Sequence, residues 1–209
     1  RKNGARHIAM RLLPSRFVQG NKIWRATSDG VDIDSSRVAV RNFRISNDKE
    51  RQYLSVNGVA SRSDRDSIML KLGNFSVSPF TQFTRRIGYE IDGRTNGYVN
   101  IKSVLRDSEI EARVLLDSLD VNGIPIPDML LTSAWDFGRS RAKLSVSMDN
   151  GTKEIIKGFY SPSQVRYYAT VQMDRLSMSL LDPLLPGIIS NTSGAAKVDL
   201  TLSGQRRAA

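Results

Sequence analysis

Apolar and polar residues alternate with a period of two along most of this chain. In "SGAAKVDLTLSG", Ser193 to Gly204, one side carries Ala196, Val198, Leu200 and Leu202, and the other Lys197, Asp199, Thr201 and Ser203. That is the pattern of a strand with one apolar face. "RHIAMRLL" sets Ile8, Met10 and Leu12 on one side, "SRVAVRNFRIS" does so with Val38 and Val40, and "YLSVNGVAS" with Leu54, Val56 and Ala60. The pattern returns in Ile68, Leu70 and Leu72, in Val99 and Ile101, and in Ala112, Val114 and Leu116. Leu131 with Trp135, Ala142 with Leu144, Val146 and Met148, then Ile156, and Ala169 with Val171 and Met173 complete it. Strands are predicted throughout. The connectors "SNDKER", "NGVASRSDRD", "SVLRDSE", "VNGIPIPD", "DFGRSR" and "MDNGTK" are rich in turn residues and too short for parallel crossovers, so the strands form an antiparallel meander.

Two stretches leave the alternation. In "SPFTQFTRRI", Ser78 is placed as an N-cap, Pro79 at the first helical position, and Phe80, Phe83 and Ile87 at helical spacing. "SLLDPLLPGII" repeats this, with Ser179 ahead of Leu181 and Leu184, and Pro186 with Gly187 as the stop. Each short helix is expected to pack on the sheet as a plug. The helices belong to a longer self-similarity, residues 54–104 with 154–204, in which Gly58 aligns with Gly158, Ser61 with Ser161 and Gly97 with Gly194. Residues 1–209 are therefore expected to form one β-rich segment containing two copies of a unit of about one hundred residues.

Composition narrows the chemistry. The 209 residues contain no cysteine, which removes disulfides, thiolate metal sites and a cysteine nucleophile. No apolar run is long enough to span a bilayer as a helix, the greasiest being "LLDPLLPGII". The chain begins with Arg and carries no apolar signal core, from which a segment of something longer is expected. The net charge of +10 comes largely from Arg1, Lys2, Arg6, Arg11, Arg16, Lys22 and Arg25, with Arg206 and Arg207 at the other end. Without those nine, bases and acids nearly balance, so the body lacks the clustered basic surface of a nucleic-acid groove, and no nucleic-acid partner is expected. His7, the one histidine, has no carboxylate or nucleophile at a telling spacing. No hydrolase elbow, phosphate loop or dinucleotide fingerprint occurs, so neither catalysis nor a metal or cofactor is expected.

The inward positions are mostly small or adaptable aliphatics. Such a sheet can fold on itself as a sandwich, acting as a scaffolding or adhesion module that binds protein by edge-strand addition. It can also curl into an open trough. The trough lining would be Leu54, Val56, Ile68, Leu70, Leu72, Val99, Ile101, Val114, Leu116, Leu144, Val146, Met148, Val171, Val198, Leu200 and Leu202, with Lys71, Lys102 and Lys197 on the other side. Ten to twelve strands about 4.8 Å apart would make a trough on the order of 50 Å long.

In "DSIMLKLGNFSVSPF…IGYEIDGRTNGYVNIKSV…SEIEARVLLDSLDVNGIPIPDMLLTSAWD", and again in "DRLSMSLLDPLLPGIISNTSGAAKVDLTLSG", the chain resembles the TamB family of translocation and assembly module proteins, within the AsmA-like group. The resemblance extends over nearly all of the chain and rests on a pattern: a leucine-rich short helix, a glycine-flanked turn, then an alternating strand. It implies an all-β, elongated, curled antiparallel sheet, an open half-pipe or β-taco, with one or two short helices. It further implies a periplasmic segment whose parent is anchored in the inner membrane. The apolar groove would convey phospholipid or another acyl-chain lipid between inner and outer membranes, or assist outer-membrane protein assembly beside a β-barrel assembly partner. An isolated segment with exposed sheet edges would be expected to dimerise through them.

Overall fold

The computed structural model describes residues 7–19, 21–184 and 187–205. The basic residues Arg1, Lys2, Arg6, Arg206 and Arg207, and the Pro186 stop, lie outside them. The described residues form fifteen strands: β1 (Ile8–Met10), β2 (Ser15–Gln19), β3 (Lys22–Thr27), β4 (Gly30–Ile33), β5 (Val38–Asn47), β6 (Gln52–Ala60), β7 (Ser67–Ser76), β8 (Ile91–Lys102), β9 (Glu109–Val121), β10 (Ile124–Ile126), β11 (Met129–Asp136), β12 (Arg141–Met148), β13 (Lys153–Ser161), β14 (Arg166–Ser177) and β15 (Ala195–Gln205). One short α-helix, α1 (Thr81–Thr84), lies between 3-10 turns at Ser78–Phe80 and Arg85–Ile87. A longer 3-10 segment covers Met178–Leu184. The fold is all-β, as the alternation predicts.

All fifteen strands belong to one sheet, ordered β1-β4-β5-β6-β7-β8-β9-β11-β12-β13-β14-β15. Chain neighbours are therefore mostly sheet neighbours, and the path is open, with β1 and β15 at its ends. Three strands depart from the simple meander: β10 pairs β9, β2 pairs β3, and β3 reaches β5. Pairing is antiparallel at β5/β6, β6/β7, β13/β14 and β14/β15. The β9–β10 hairpin closes through Asn122 and Gly123, both at positive φ, with Val121 opposite Ile124. This is the two-residue Asn-Gly turn whose twist suits antiparallel strands.

Contacts divide the chain into two compact units. Unit 1 comprises Arg1–Phe75, Asn96–Arg113 and Ala134–Ala142; unit 2 comprises Ser76–Thr95, Val114–Ser133 and Lys143–Ala209. Strands β8, β9, β11 and β12 each contribute one end to each unit.

Few of the described apolar side chains are buried, and most of those are alanine. Among the described residues the buried hydrophobic side chains are Trp24, Ala26, Ala39, Ala60, Ala112, Ala142 and Ile155, five of them alanine, and the largest side chain wholly out of solvent is Gln52. Two interlocked sheets would instead bury their large inward residues.

The helical connections depart from expectation in two ways. Ser78 is not the N-cap: Val77 holds that position without a side-chain bond, while the Ser78 hydroxyl donates to the Asp92 carboxylate. Nor is the first connection a plug, because Phe80, Phe83 and Ile87 are 52%, 65% and 60% exposed. Its polar anchors, Thr81 Oγ1 donating to the Ile91 carbonyl and Thr84 Oγ1 to that of Tyr89, hold the opposite side against the chain leading into β8. In the second connection Pro183 lies inside the 3-10 segment. The two connections meet within unit 2, where the Tyr89 hydroxyl donates to the Leu180 carbonyl at 2.7 Å.

Both connections are entered alike. Ser76 and Ser78 share a hydroxyl hydrogen bond of 2.8 Å, and so do Ser177 and Ser179. The Val77 N–H donates to the Gly93 carbonyl, and the Met178 N–H to that of Gly194, each at 3.1 Å. That bond sets Gly194 at the position of Gly93 and not of Gly97, since it fixes the distance from helix start to returning strand.

Candidate functional site

In unit 1 the register of β5, β6 and β7 assembles an apolar face row by row. Val40 lies opposite Gly58 and Gly58 opposite Ile68; Phe43, Val56 and Leu70 form the next row, and Ile45, Leu54 and Leu72 the third. Directly opposed residues point to the same side, so Leu54, Val56, Ile68, Leu70 and Leu72 come together. Each is half-buried. Gly58 lets the strands approach: a Cβ there would fall 2.1 Å from the Ser67 carbonyl oxygen, and its φ of +127° lies where glycine is favoured. Trp24 stands at one end, edge-on to Phe75 with ring centroids 6.1 Å apart.

Sequence reasoning missed Phe43, Ile45 and Phe75 because the alternation slips. Asn42 and Asn74 have φ near +47° and +46° inside their strands, and the β5/β6 register shifts between Val40 and Phe43. A single left-handed residue moves the apolar set from even to odd numbers, from Val40 to Phe43 and from Leu72 to Phe75. Ser118 in β9 has the same conformation, with φ +51°. In all three cases a side chain accepts the displaced N–H: Asn42 donates to Asn57 Oδ1 at 3.0 Å, Asn74 to Asn96 Oδ1 at 2.7 Å, and Ser118 to Asp128 Oδ1 at 3.2 Å. The only hint in the sequence is an Asn or Ser interrupting an apolar alternation.

Unit 2 builds a similar face from its last three strands. Ile156, Val171 and Leu200 form one row, Gly158, Ala169 and Leu202 the next, and Met173 lies opposite Val198. Gly158 again permits close approach, since a Cβ would lie 2.3 Å from the Tyr168 carbonyl oxygen. Leu200 and Leu202 are 53% and 54% exposed, because β15 has a single neighbour.

The other predicted residues follow local contacts. Tyr98 donates to Glu111 at 3.0 Å, a bond that raises the Tyr98 phenol above its usual range. By alternation Val99 and Ile101 then share the other side with Ala112, Val114 and Leu116. Ser145 donates to Glu154 at 2.7 Å and Glu154 pairs with Lys157 at 3.3 Å, so by alternation Leu144 and Val146 lie on the side away from Ser145. Met148 ends β12. None of the sixteen is fully buried: thirteen are half-buried, and Leu144, Leu200 and Leu202 are exposed. Lys71, Lys102 and Lys197 are exposed as well.

His7 has a carboxylate neighbour that no spacing in the sequence reveals. Pairing of β1 with β4 brings its Nε2 to 3.8 Å from Asp32, which also binds Arg41. Among the described residues no three His, Asp or Glu side chains gather as a metal site, and no helix is long and apolar enough to cross a membrane. No family model matches the chain, and no curated protein or solved structure matches it significantly.

Proposed function

We propose that this chain is a length of a periplasmic, envelope-spanning protein of the TamB type, whose apolar sheet faces hold the acyl chains of phospholipid in transit between inner and outer membranes. The observation that carries this reading is that sixteen alternating apolar residues lie on one sheet and none is fully buried by the protein's own side chains. Each methylene removed from water contributes about 0.8 kcal/mol. A uniform aliphatic face binds a chain without favouring one position, which suits sliding. Assistance to outer-membrane protein assembly is compatible with the same surfaces.

The test is photo-crosslinking in a detergent-free preparation. Probes at Leu70, Val171 and Leu200 are expected to capture phospholipid, while probes at Lys102 and Lys197 do not. Equal capture at both sets would sink the reading. In the parent protein, Val146→Arg and Leu200→Arg are expected to block lipid transfer while leaving the sheet folded.

A second reading rests on β15, which has one hydrogen-bonded neighbour in the sheet. Its free edge suits strand addition, either by a second copy of the chain or by a protein partner. Light scattering separates the two readings. A dimer abolished by Thr201→Pro, with lipid capture unchanged, assigns the edge to association and leaves the face to lipid.

A further inference from the structure

We infer that the opposite side of β5, β6 and β7 is a binding site for a phosphate-bearing anion. Arg44 lies directly opposite Ser55, and Ser55 directly opposite Lys71, so the three share one side, away from Phe43, Val56 and Leu70. Asn57 and Met69 form the adjoining row. There, beside the bulge at Asn42, the surface sinks into a depression of about 340 Å³ whose lining includes Asn42, Arg44, Ser55, Asn57, Met69 and Lys71, with Phe43 and Val56 of the same strands also bordering it.

Donors converge on this depression. Neither Arg44 nor Lys71 has a carboxylate partner among the described residues, and two cations two strands apart, about 10 Å, flank the Ser55 hydroxyl. The Arg44 guanidinium lies 4.0 Å over the Tyr53 ring, which holds it in place and leaves its N–H groups unspent. Tyr53 itself lies across Gly73, where a Cβ would meet its ring at 2.0 Å. Asn57 uses its amide oxygen for the Asn42 N–H, leaving its NH₂ as a donor. The nearby Asp29 carboxylate is occupied by the Asn42 side-chain amide at 2.6 Å. Two cations, a hydroxyl and an amide NH₂ suit phosphate oxygens, and the Met69 thioether offers apolar surface to an organic group. A phosphomonoester fits this set better than inorganic phosphate. The site is independent of the lipid reading of the other face.

Calorimetric titration at low ionic strength tests it, with sn-glycerol 3-phosphate as probe. Saturable binding is expected, weaker for inorganic phosphate. The double substitution Arg44→Gln with Lys71→Gln is expected to weaken binding about tenfold or more. Lys102→Gln with Lys197→Gln removes equal charge elsewhere and is expected to change it less than about twofold. Equal losses in both doubles would reduce the effect to general charge and overturn the site, as would an absence of saturation in the wild-type chain. Circular dichroism confirms that both doubles fold. Dihexanoyl phosphatidic acid identifies the source: affinity equal to that of glycerol phosphate points to a lipid headgroup, and binding of glycerol phosphate alone to a soluble ester.

Discussion

The faces built by β5–β6–β7 and by β13–β14–β15 use the same ingredients and end differently exposed. Each sets aliphatic rows across three antiparallel strands and relies on a glycine that brings its strands close. In unit 1 every strand of the trio has a neighbour on both sides, the face is flanked by the Trp24–Phe75 pair, and Leu54, Val56, Leu70 and Leu72 are half-buried. In unit 2 the trio ends on β15, and Leu200 and Leu202 stand more than half in solvent. Alternation in sequence therefore sets which side is apolar, while position in the sheet order sets how wet that side is.

The largest expected effect concerns what the two faces share. Gly58→Ala would place a Cβ 2.1 Å from a backbone oxygen and also force φ +127° on a residue with a side chain. A loss on the order of 3 kcal/mol is expected. Gly158→Ala meets a backbone oxygen at 2.3 Å without the φ penalty, so about 2 kcal/mol is expected. Urea unfolding of both variants measures the difference. Equal, negligible losses would mean that close strand approach is not what these glycines provide.

Next comes the contrast in exposure. Val56→Arg puts a charge in a half-buried row between Phe43 and Leu70, and a destabilisation of about 2 kcal/mol is expected. Leu200→Arg falls on an exposed position where the guanidinium reaches water, so less than about 1 kcal/mol is expected. Should Leu200→Arg unfold the chain as readily as Val56→Arg, the two faces would be equally enclosed, and the comparison would fail.

Most strands, their antiparallel pairing and the place of both helical connections could be read from the sequence, because alternation and turn chemistry are local; β2, β3 and β4 are not singled out by it, and β10 lies in the stretch "VNGIPIPD" that reads as a connector. The even-numbered apolar sets of β6 and β7 were legible for the same reason. What stayed hidden depends on one-residue events and on register. Asn42 and Asn74 each displace the apolar set by one, so Phe43, Ile45 and Phe75 fell out of phase with their own strands. The row Arg44–Ser55–Lys71 exists only once the β5–β6–β7 register is known, and no spacing within the chain encodes it. The exposure of Phe80, Phe83 and Ile87 was missed because helical spacing shows that a stripe exists and not whether anything covers it.

A smaller effect separates the side-chain caps of the bulges. Asn96 accepts the Asn74 N–H in a part-buried setting, whereas Asn57 accepts the Asn42 N–H in an exposed one. Asn96→Ala strands a donor away from water, for about 1 kcal/mol, and Asn57→Ala leaves one that water satisfies, for less. Amide hydrogen exchange at Asn74 and Asn42 reports the two sites directly. Faster exchange at Asn42 than at Asn74 in the respective variants, with the stability loss in Asn96→Ala alone, is the expected result.

The smallest effect is electrostatic and belongs to unit 2. Lys153 and Asp174 pair at 2.9 Å, a bond that holds the Asp174 carboxyl below its usual range and the Lys153 ammonium above its own. A depressed carboxyl stabilises the fold above its unfolded value, about 3.9, and loses that contribution as pH falls through the folded value. The raised ammonium acts in the opposite sense: its contribution is complete below the unfolded pKa and is lost as pH rises through the folded one. Both groups are largely in solvent, so salt screens the pair and the stability change is slight. Asp174→Asn is therefore expected to lower the melting temperature a little at pH 7 in low salt, with the deficit closing as acid protonates Asp174 in the parent chain. A deficit that persisted unchanged at the acid end would show that the substituted amide disturbs the β14 strand itself, and that the pair contributes through packing and not through charge.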